Sequence, residues 1–241
     1  MKGRISLTLL AICLLLVPGV AFGQAGGDGS IKGKVVAQGD ESMSGGQVKL
    51  WDVKGGYSPL GHEYWQVQGY AFPIADDGSF SGQLPEGSYY LIAIKKPGES
   101  QAGPPQKGDL VYPSADAAKS PVYTVKAGQT TDIGTISGAV PLKEAWVLKG
   151  KTGVEGTVVD ASGEKPFQGA LVLANIAGVP PAAMRPLFTS DGRTGKDGRY
   201  IIRFPKGGQY LLMVLGRNSE PVKVTVKTGD MTKGIDIRLT R

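Results

Sequence analysis

The sequence predicts an all-β protein that contains two copies of one domain. Runs in which apolar and polar residues alternate recur along the chain, and this pattern is typical of half-buried strands because successive side chains point to opposite faces. The 241 residues include 37 glycines and 16 prolines, well above the roughly 12% that the two make up in an average protein. Helices tolerate neither residue well, whereas turn-rich β folds use both. One pair of runs also occurs twice, which indicates an internal duplication.

The duplicated pattern is clearest in residues 194–217, where two apolar runs follow each other. The side chains expected on one face are Tyr200, Ile202 and Phe204 in the first run and Tyr210, Leu212 and Val214 in the second. Asp197 and Gly198 open the first run, and residues 205–208 separate it from the second. Proline followed by glycine is typical of a tight turn. We therefore expect a β-hairpin here.

The same pattern occurs at residues 76–93. The matched positions, which we expect to form turns and core, are Asp77, Gly78, Phe80, Pro85, Gly87 and Tyr89 in the first copy and Asp197, Gly198, Tyr200, Pro205, Gly208 and Tyr210 in the second. Two copies of one hairpin imply two copies of one domain.

The start of the chain has the three parts of a secretory signal peptide. Lys2 and Arg4 precede an apolar core at residues 5–17, and residues 21–23 form a small-x-small cleavage site. The apolar core is shorter than the roughly 20 residues that cross a bilayer, although a retained anchor is the alternative. We expect cleavage after residue 23, a flexible segment at 24–29, and a secreted or periplasmic protein without a membrane span. Cys13 is the only cysteine, so the mature chain would contain no disulfide.

The expected first domain covers residues 30–138, a linker covers 139–151, and the second domain covers 152–241. Besides the duplicated runs, strands are expected at 31–36, 47–51, 122–128 and 131–136 in the first domain, and at 154–159, 169–174, 222–229 and 235–239 in the second. The linker contains Trp146, an apolar residue suited to packing between the domains.

Two segments of the first domain are candidates for a ligand or partner surface. An aromatic insert at residues 53–75 contains Tyr57, His62, Tyr64, Trp65 and Tyr70. These rings are suited to stacking on a sugar or a peptide, because aromatics offer large contact area at low entropic cost; the alternative is that they pack in the core and at a sheet edge. A loop at residues 98–114 contains Pro104 and Pro105, which exclude a central strand and indicate either a capping loop or a partner-recognition loop.

No catalytic, metal-binding or cofactor-binding set can be assembled from the sequence. His62 is the only histidine, whereas a catalytic zinc typically has three protein ligands that include histidine or cysteine. A Ser-His-Asp triad would have to use that same residue. Basic residues such as Lys49 are spread singly along the strands, as on solvated strand faces, whereas a nucleic-acid-binding protein clusters them on one face.

The pattern of the second domain resembles the carboxypeptidase regulatory-like domain. Four segments carry the resemblance: Gly156–Asp160, Gly169–Val172, Thr194–Tyr200 and Pro205–Val214. The first domain fits at residues 77–91 but departs in its first turn and in the aromatic insert. The resemblance implies two tandem seven-stranded transthyretin-like (prealbumin-like) β-sandwiches with an immunoglobulin-like Greek-key order. It also implies an accessory or interaction role, because this family occurs in peptidases, receptors and secreted binding proteins.

We therefore expect an exported, non-enzymatic binding or scaffolding protein of the cell envelope or extracellular space. One alternative is a carbohydrate-binding accessory module with a starch-binding-like fold, which would use Tyr64, Trp65 and Tyr70. A second alternative is an accessory subunit of a separate envelope enzyme. The partner would be a protein or a polysaccharide rather than a nucleic acid, and we expect a monomer or a weak dimer.

Overall fold

The computed structural model describes residues 28–39, 42–61, 63–98, 100–114, 119–178 and 187–240. The expected signal peptide and His62 lie outside the described residues. The segment expected to be flexible, 24–29, lies outside them except for Asp28 and Gly29, which are the first residues of a strand rather than part of a flexible end.

Strands at residues 28–141 form the N-terminal half of the structure. They are β1 (Asp28–Ala37), β2 (Gln47–Asp52), β3 (Tyr70–Pro73), β4 (Ser79–Pro85), β5 (Gly87–Lys95), β6 (Leu110–Tyr112), β7 (Val122–Val125) and β8 (Thr130–Pro141). Two short 3-10 turns, Val53–Gly55 and Pro59–Gly61, lie between β2 and β3. β8 is longer than expected, so the expected boundary at residue 138 falls inside a strand.

Strands at residues 153–238 form the C-terminal half. They are β9 (Gly153–Val159), β10 (Val172–Ile176), β11 (Phe188–Thr189), β12 (Arg199–Arg203), β13 (Gly208–Val214), β14 (Val222–Val226), β15 (Met231–Thr232) and β16 (Ile237–Arg238). The all-β class predicted from composition and alternation is confirmed, and the strands pack as β-sandwiches.

The two halves have the same strand order. In the N-terminal half, β1 lies between β4 and β8, while β5 pairs with β2 on one side and with both β6 and β7 on the other. In the C-terminal half, β9 lies between β12 and the short β15 and β16, while β13 lies between β10 and β14. β6 and β7 pair with the same edge of β5, and β15 and β16 pair with the same edge of β9, so each such pair fills one strand position. Counted in this way, both halves have four strand positions in one layer and three in the other.

The first and last strands of each half run parallel. β1 pairs in parallel with β8, and β9 pairs in parallel with β15 and β16. In the N-terminal half β8 then crosses to the other layer, where Val140 pairs with Val111 of β6. This crossing joins the two layers into one hydrogen-bonded sheet along one side of the sandwich.

The expected hairpins are wrong, because their two strands lie in different layers. β4 pairs with β1, whereas β5 pairs with β2, β6 and β7. Likewise β12 pairs with β9, whereas β13 pairs with β10 and β14. The two strands of each pair therefore form an arch, in which one strand lies in each layer and the core of that half lies between them. The stacked rings of Phe204 and Tyr210, 3.7 Å apart at 4°, mark this facing arrangement.

The proline–glycine corners of both arches are held by a tyrosine. The Tyr89 hydroxyl donates to the carbonyl oxygen of Pro85 at 2.7 Å, and the Tyr210 hydroxyl donates to that of Lys206 at 2.7 Å. In both halves the tyrosine ring lies beside the glycine two residues earlier, Gly87 or Gly208. In the corner of the C-terminal half, Pro205 directly follows Phe204 in the chain.

The aspartate–glycine turns that precede β4 and β12 are also alike. Asp77 accepts a hydrogen bond from the Ser79 amide at 2.9 Å, and Asp197 accepts one from the Arg199 amide at 3.2 Å. Gly78 and Gly198 have φ angles of 85° and 69°, in the left-handed region that glycine adopts without strain. A Cβ at Gly198 would lie 2.6 Å from the Val158 carbonyl oxygen, so close packing also requires glycine there.

Each half has its own apolar core. The N-terminal core contains Ile31, Val48, Phe80, Leu84, Tyr89, Leu91 and Val125, with Tyr70 packed against it. The C-terminal core contains Val154, Val172, Tyr200, Ile202, Phe204, Tyr210, Leu212 and Ile237. The inward positions are those that the alternating patterns of both runs predicted.

Candidate functional site

A third buried cluster lies on the outer face of the N-terminal half and forms its junction with the C-terminal half. We call it the junction cluster, and its buried members are Trp51, Tyr57, Trp65, Ile92, Ile94, Val111, Leu142, Trp146 and Leu148. Trp51, Ile92 and Ile94 alternate along β2 and β5 with the residues of the sandwich core. This layer of the sandwich is therefore covered on both faces.

Most of the cover comes from the aromatic insert and the linker. Trp65 contacts Trp51 edge to face with ring centroids 5.5 Å apart, and it contacts Trp146 at 6.0 Å. The Trp51 indole N–H donates to the carbonyl oxygen of Gln66 at 3.1 Å. Half-buried Tyr64 continues the cluster to Phe188 of the C-terminal core, with ring centroids 5.8 Å apart. The insert and the linker thus pack the two halves together.

Backbone hydrogen bonds reinforce this packing. The Val67 amide donates to the Leu187 carbonyl at 2.8 Å, and the Thr189 amide donates to the Trp65 carbonyl at 3.2 Å. These bonds place Gln66 opposite Phe188 in an antiparallel β-bridge. Residues 65–67 of the N-terminal half therefore extend the edge of the C-terminal sheet next to β11.

The linker itself is tied into the junction. The Gly150 amide donates to the Glu63 carbonyl at 2.8 Å, and a Cβ at Gly150 would lie 2.3 Å from that oxygen. The Gly150 carbonyl accepts from the Arg203 guanidinium, which also forms an ion pair with Asp191 at 2.9 Å. Burial raises the pKa of Asp191, and the charge of Arg203 opposes this shift.

The candidate surface residues of the aromatic insert are divided between the core and one small cleft. Trp65 and Tyr57 are 1% and 4% exposed, so both rings are packed in the junction cluster and neither offers an open stacking face to solvent. Burial raises the pKa of the Tyr57 hydroxyl. Tyr70 lies in β3, where it packs edge to face on Tyr89 with centroids 5.8 Å apart.

The aromatic cleft is the place where candidate residues do come together at the surface. It is lined by Gly56, Tyr57, Ser58, Gly61, Glu63 and Tyr64 and has a volume of about 250 Å³. The Tyr64 ring forms one wall, and its contact with Tyr57 has ring centroids 5.2 Å apart. Burial is the main cause that raises the pKa of Tyr64, and the charge of Glu63 raises it further. The lining residues of the cleft carry one half-exposed ring, three hydroxyls and a carboxylate.

Pro104 and Pro105 are buried in the loop between β5 and β6. The Pro105 carbonyl accepts from the Trp146 amide at 3.2 Å, and the Pro104 carbonyl accepts from the Lys96 ammonium at 2.8 Å. The Gln106 side chain reaches the Asp191 carbonyl of the C-terminal half at 3.1 Å. The proline-rich loop therefore takes part in the junction rather than presenting its prolines to solvent.

A buried charge cluster lies beneath this loop. Lys96 and Asp109 form an ion pair at 2.6 Å, with side chains 8% and 4% exposed. Lys49 is fully buried beside them and donates to the Gln101 carbonyl. Burial, together with the charge of Lys96, lowers the pKa of Lys49 to about 7, although Asp109 opposes the shift. The expectation that Lys49 lies on a solvated strand face is wrong, because the loop covers its outward-facing position on β2.

Above the ion pair is a cleft with contributions from both halves, which we call the cationic cleft. Lys96, Pro104, Gln106 and Asp109 line it from the N-terminal half, and Leu171 and Arg193 line it from the C-terminal half. Arg193 donates to the Gly169 carbonyl and to the Ser100 hydroxyl, both at 2.8 Å. Sequence reasoning missed this site, because its residues are far apart in the chain and no local motif connects them.

Within the described ranges, no helix is long and apolar enough to cross a membrane. In the same ranges, no group of three or more His, Cys, Asp or Glu side chains is placed to hold a metal ion.

No protein-family model matches the chain, and no curated protein matches it. Solved structures that it resembles include the Bacillus anthracis TIE protein, at 16% identity and a TM-score of 0.28, over 88% of this chain and 34% of that one. They also include a streptococcal ancillary pilin, at 20% identity and a TM-score of 0.26, over 88% of this chain and 62% of that one. A third is BcpA, the major pilin subunit of Bacillus cereus, at 10% identity and a TM-score of 0.29, over 88% of this chain and 99% of that one. The chain thus spans about a third of the first of these structures and less than two thirds of the second.

Proposed function

We propose that the protein is an exported, non-enzymatic scaffolding and binding protein whose two β-sandwich domains form one rigid unit. The observation that carries the proposal is the junction, where residues 65–67 extend the C-terminal sheet and the Trp51–Trp65–Trp146 contacts fill the space between the halves. Interfaces between domains of one chain usually permit relative motion unless they are large and apolar. A junction with three buried tryptophans and backbone pairing instead favours a fixed spacing. Export is proposed from the signal-like residues 1–23.

The junction also gives the aromatic insert and the linker a role in this proposal. The domain division follows the repeated strand order, with β1–β8 as one domain and β9–β16 as the other. Residues 142–152 connect them and contribute Leu142, Trp146 and Leu148 to the junction cluster. A linker that is buried in this way holds the domains, whereas a flexible spacer would lie in solvent.

Pulsed electron spin resonance tests the rigidity on which the proposal depends. Spin labels at Lys126→Cys and Lys165→Cys, in a Cys13→Ser background, report one distance between the halves, because Cys13 is the only native cysteine. All three labelled lysines, including Lys223 of the control, are exposed. We expect a single distance distribution as narrow as that of the control pair Lys165→Cys and Lys223→Cys, which lies within one half. A broad or multimodal distribution between the halves would contradict the proposal.

A second candidate function, carbohydrate binding, is favoured by one observation, the half-exposed Tyr64 ring in the aromatic cleft. Trp65 is not a useful test position, because removing a buried tryptophan costs roughly 3–5 kcal/mol of stability in its own right. Tyr64→Ala is the appropriate variant, and Tyr70→Ala is the matched control, since Tyr70 is also half-buried but lies outside the cleft.

Calorimetric titration with maltohexaose, supported by a glycan array, tests this candidate. Binding that is lost in Tyr64→Ala and kept in Tyr70→Ala would support it. Absence of binding to all glycans by the wild-type protein would remove it.

A further inference from the structure

The cationic cleft lies between the two halves. The positive side chains that line it, Lys96 and Arg193, outnumber its carboxylate, Asp109. The volume of the cleft is about 290 Å³, just below the roughly 300–1,000 Å³ of pockets that hold drug-sized ligands. A cleft of this size accommodates one end group of a larger molecule rather than a whole ligand of that class. Its position between the loop of residues 96–109 and residues 192–193 means that anything bound there contacts both domains.

Cations outnumber the carboxylate in this region. Lys96 and Arg193 line the cleft, whereas Asp109 is the carboxylate among the lining residues. The nearby Asp191 is already paired with Arg203 at 2.9 Å. Burial lowers the pKa of Lys96, the hydrogen bond and charge of Asp109 oppose this shift, and the charge of Arg193 adds a smaller lowering. An anion placed between these two cations would therefore be attracted by both.

Donors for such an anion are present at the floor and the rim. An ammonium group has three N–H donors, and Lys96 uses two of them for Asp109 at 2.6 Å and Pro104 at 2.8 Å. Arg193 has five donors, of which one faces the Gly169 carbonyl and one the Ser100 hydroxyl. Among the described residues, these bonds use four of the eight N–H groups of Lys96 and Arg193. The other N–H groups are available to a bound anion.

The walls indicate which kind of anion fits. Pro97, Ala102 and Leu171 give the cleft apolar sides, and apolar surface favours an aliphatic body over a hydroxylated one. Planar carboxylate is a natural partner of a guanidinium fork. A peptide carboxylate with a short aliphatic side chain satisfies both the donors and the walls.

We propose that the cationic cleft binds a carboxylate of a peptide or protein partner, with Arg193 and Lys96 as its charged contacts. This inference rests on the proposed scaffolding and binding role and names the chemical class of its partner. Since Arg193 comes from one domain and Lys96 from the other, the bound carboxylate also bridges them. A ligand that binds the folded state alone stabilises it by an amount that grows with the logarithm of its concentration once that exceeds the Kd, so occupancy strengthens the junction.

Calorimetric titration of the full chain with N-acetyl-L-alanine and N-acetyl-L-leucine tests the proposal. We expect saturable binding of both and a rise in the thermal unfolding midpoint as their concentration increases. Glucuronate and inorganic phosphate are the competing probes and should bind more weakly, because the first has a hydroxylated body and the second lacks one. Failure of both acetylated amino acids to bind, or binding of glucuronate or phosphate that is equal or tighter, would overturn the proposal.

Two variants locate the binding. Arg193→Gln removes a charge-assisted contact and is expected to weaken binding about tenfold or more, whereas Arg199→Gln removes an equally exposed arginine outside the cleft and should leave it unchanged. Lys96→Met is a second variant, but it leaves Asp109 buried without its partner, so Arg193→Gln decides the result if Lys96→Met does not fold. Equal affinity in Arg193→Gln and wild type would refute the assignment. The spin-label distances are measured without these probes, so a failure of the rigid junction is distinguishable from a failure of carboxylate binding.

Discussion

Lys49 shows how a single residue can be misread from its neighbours in the chain. It alternates with apolar residues in β2 as a solvent-facing lysine would, but the loop of residues 96–109 covers it completely. A lysine whose pKa is lowered on folding binds fewer protons in the folded state than in the unfolded state. The pKa of Lys49 is about 7 in the folded protein, against an ordinary lysine value of 10.5. Unfolding therefore takes up a proton between these pH values, and stability rises with pH across this window.

We predict that Lys49→Met stabilises the protein at neutral pH. Methionine fills a similar volume without a buried amine, and burying a polar or charged group costs roughly 1–3 kcal/mol or more unless the group is fully paired. Urea unfolding at pH 7 and at pH 9.5 should also show that the rise in unfolding free energy between these pH values becomes smaller in the variant. Lys126→Met, at an exposed position, is the control. The prediction is contradicted if Lys49→Met is less stable at pH 7 and the pH dependence of its unfolding free energy is unchanged. That outcome would mean that burial of the Lys49 amine costs little or that its contact with Gln101 is needed.

The paired tyrosines allow the two halves to be compared residue by residue. Tyr89→Phe and Tyr210→Phe each remove one hydroxyl that donates at 2.7 Å to a corner carbonyl. We expect each to lower the unfolding free energy by about 1 kcal/mol, the usual net value of one intramolecular hydrogen bond. Chemical denaturation measures both losses. Tyr90→Phe, on the neighbouring position that faces the other side of β5, is the control; no loss in either tested variant would show that the hydroxyls do not hold the corners.

At the residue scale, the sequence predicted inward positions better than surfaces. Period-two alternation correctly assigned Phe80, Tyr200 and Tyr210 to the cores, because alternation is a local consequence of strand geometry. It could not separate Trp65, which is buried, from Tyr64, which is half-exposed. That difference depends on the linker and the C-terminal half, both distant in sequence.

Among the elements, the arches were predicted as strands but not as partners in different layers. An alternating run determines which side chains face the core, but it does not determine in which of the two layers the strand lies. The short proline–glycine connection looks like a hairpin turn in both cases. The tyrosine spaced four residues from the corner carbonyl is the sequence feature that distinguishes the arch, since its hydroxyl reaches back to that carbonyl.

Close packing of β9 against the segment between β15 and β16 gives a prediction at this scale. A Cβ at Gly156 of β9 would lie 1.8 Å from the Ile235 carbonyl oxygen, which is backbone and cannot rotate away. We expect Gly156→Ala to lower the unfolding free energy by about 3 kcal/mol or more, as severe overpacking does. Gly55→Ala is the control, because no atom lies within 4 Å of a Cβ there. Thermal unfolding of both variants measures the effect, and equal midpoints would show that β9 and residues 233–236 are not packed so closely.

For the whole molecule, the sequence indicated a repeat, whereas it gave no indication of the junction. The repeated motif led to the expectation of two similar sandwiches, and the same strand order is found in both halves. The junction depends on Gln66 meeting Phe188 and on Trp146 meeting Trp65. These are long-range contacts between segments without a common motif, so composition and periodicity carry no information about them. Residues 139–151 were expected to link two domains, and in the proposed function the burial of Leu142, Trp146 and Leu148 joins the halves into one unit.

Hydrogen–deuterium exchange at the junction amides is the sharpest test of whether the two halves form one rigid unit. The Val67 and Thr189 amides donate between the halves to Leu187 and Trp65, and the Gly150 amide of the linker donates to Glu63. If the halves form one rigid unit, these amides should be protected as strongly as those in the middle of β2 and β13, because exchange then requires opening of the packed structure. Exchange as fast as that of an exposed loop, while β2 and β13 remain protected, would show that the two sandwiches move independently and would contradict the account.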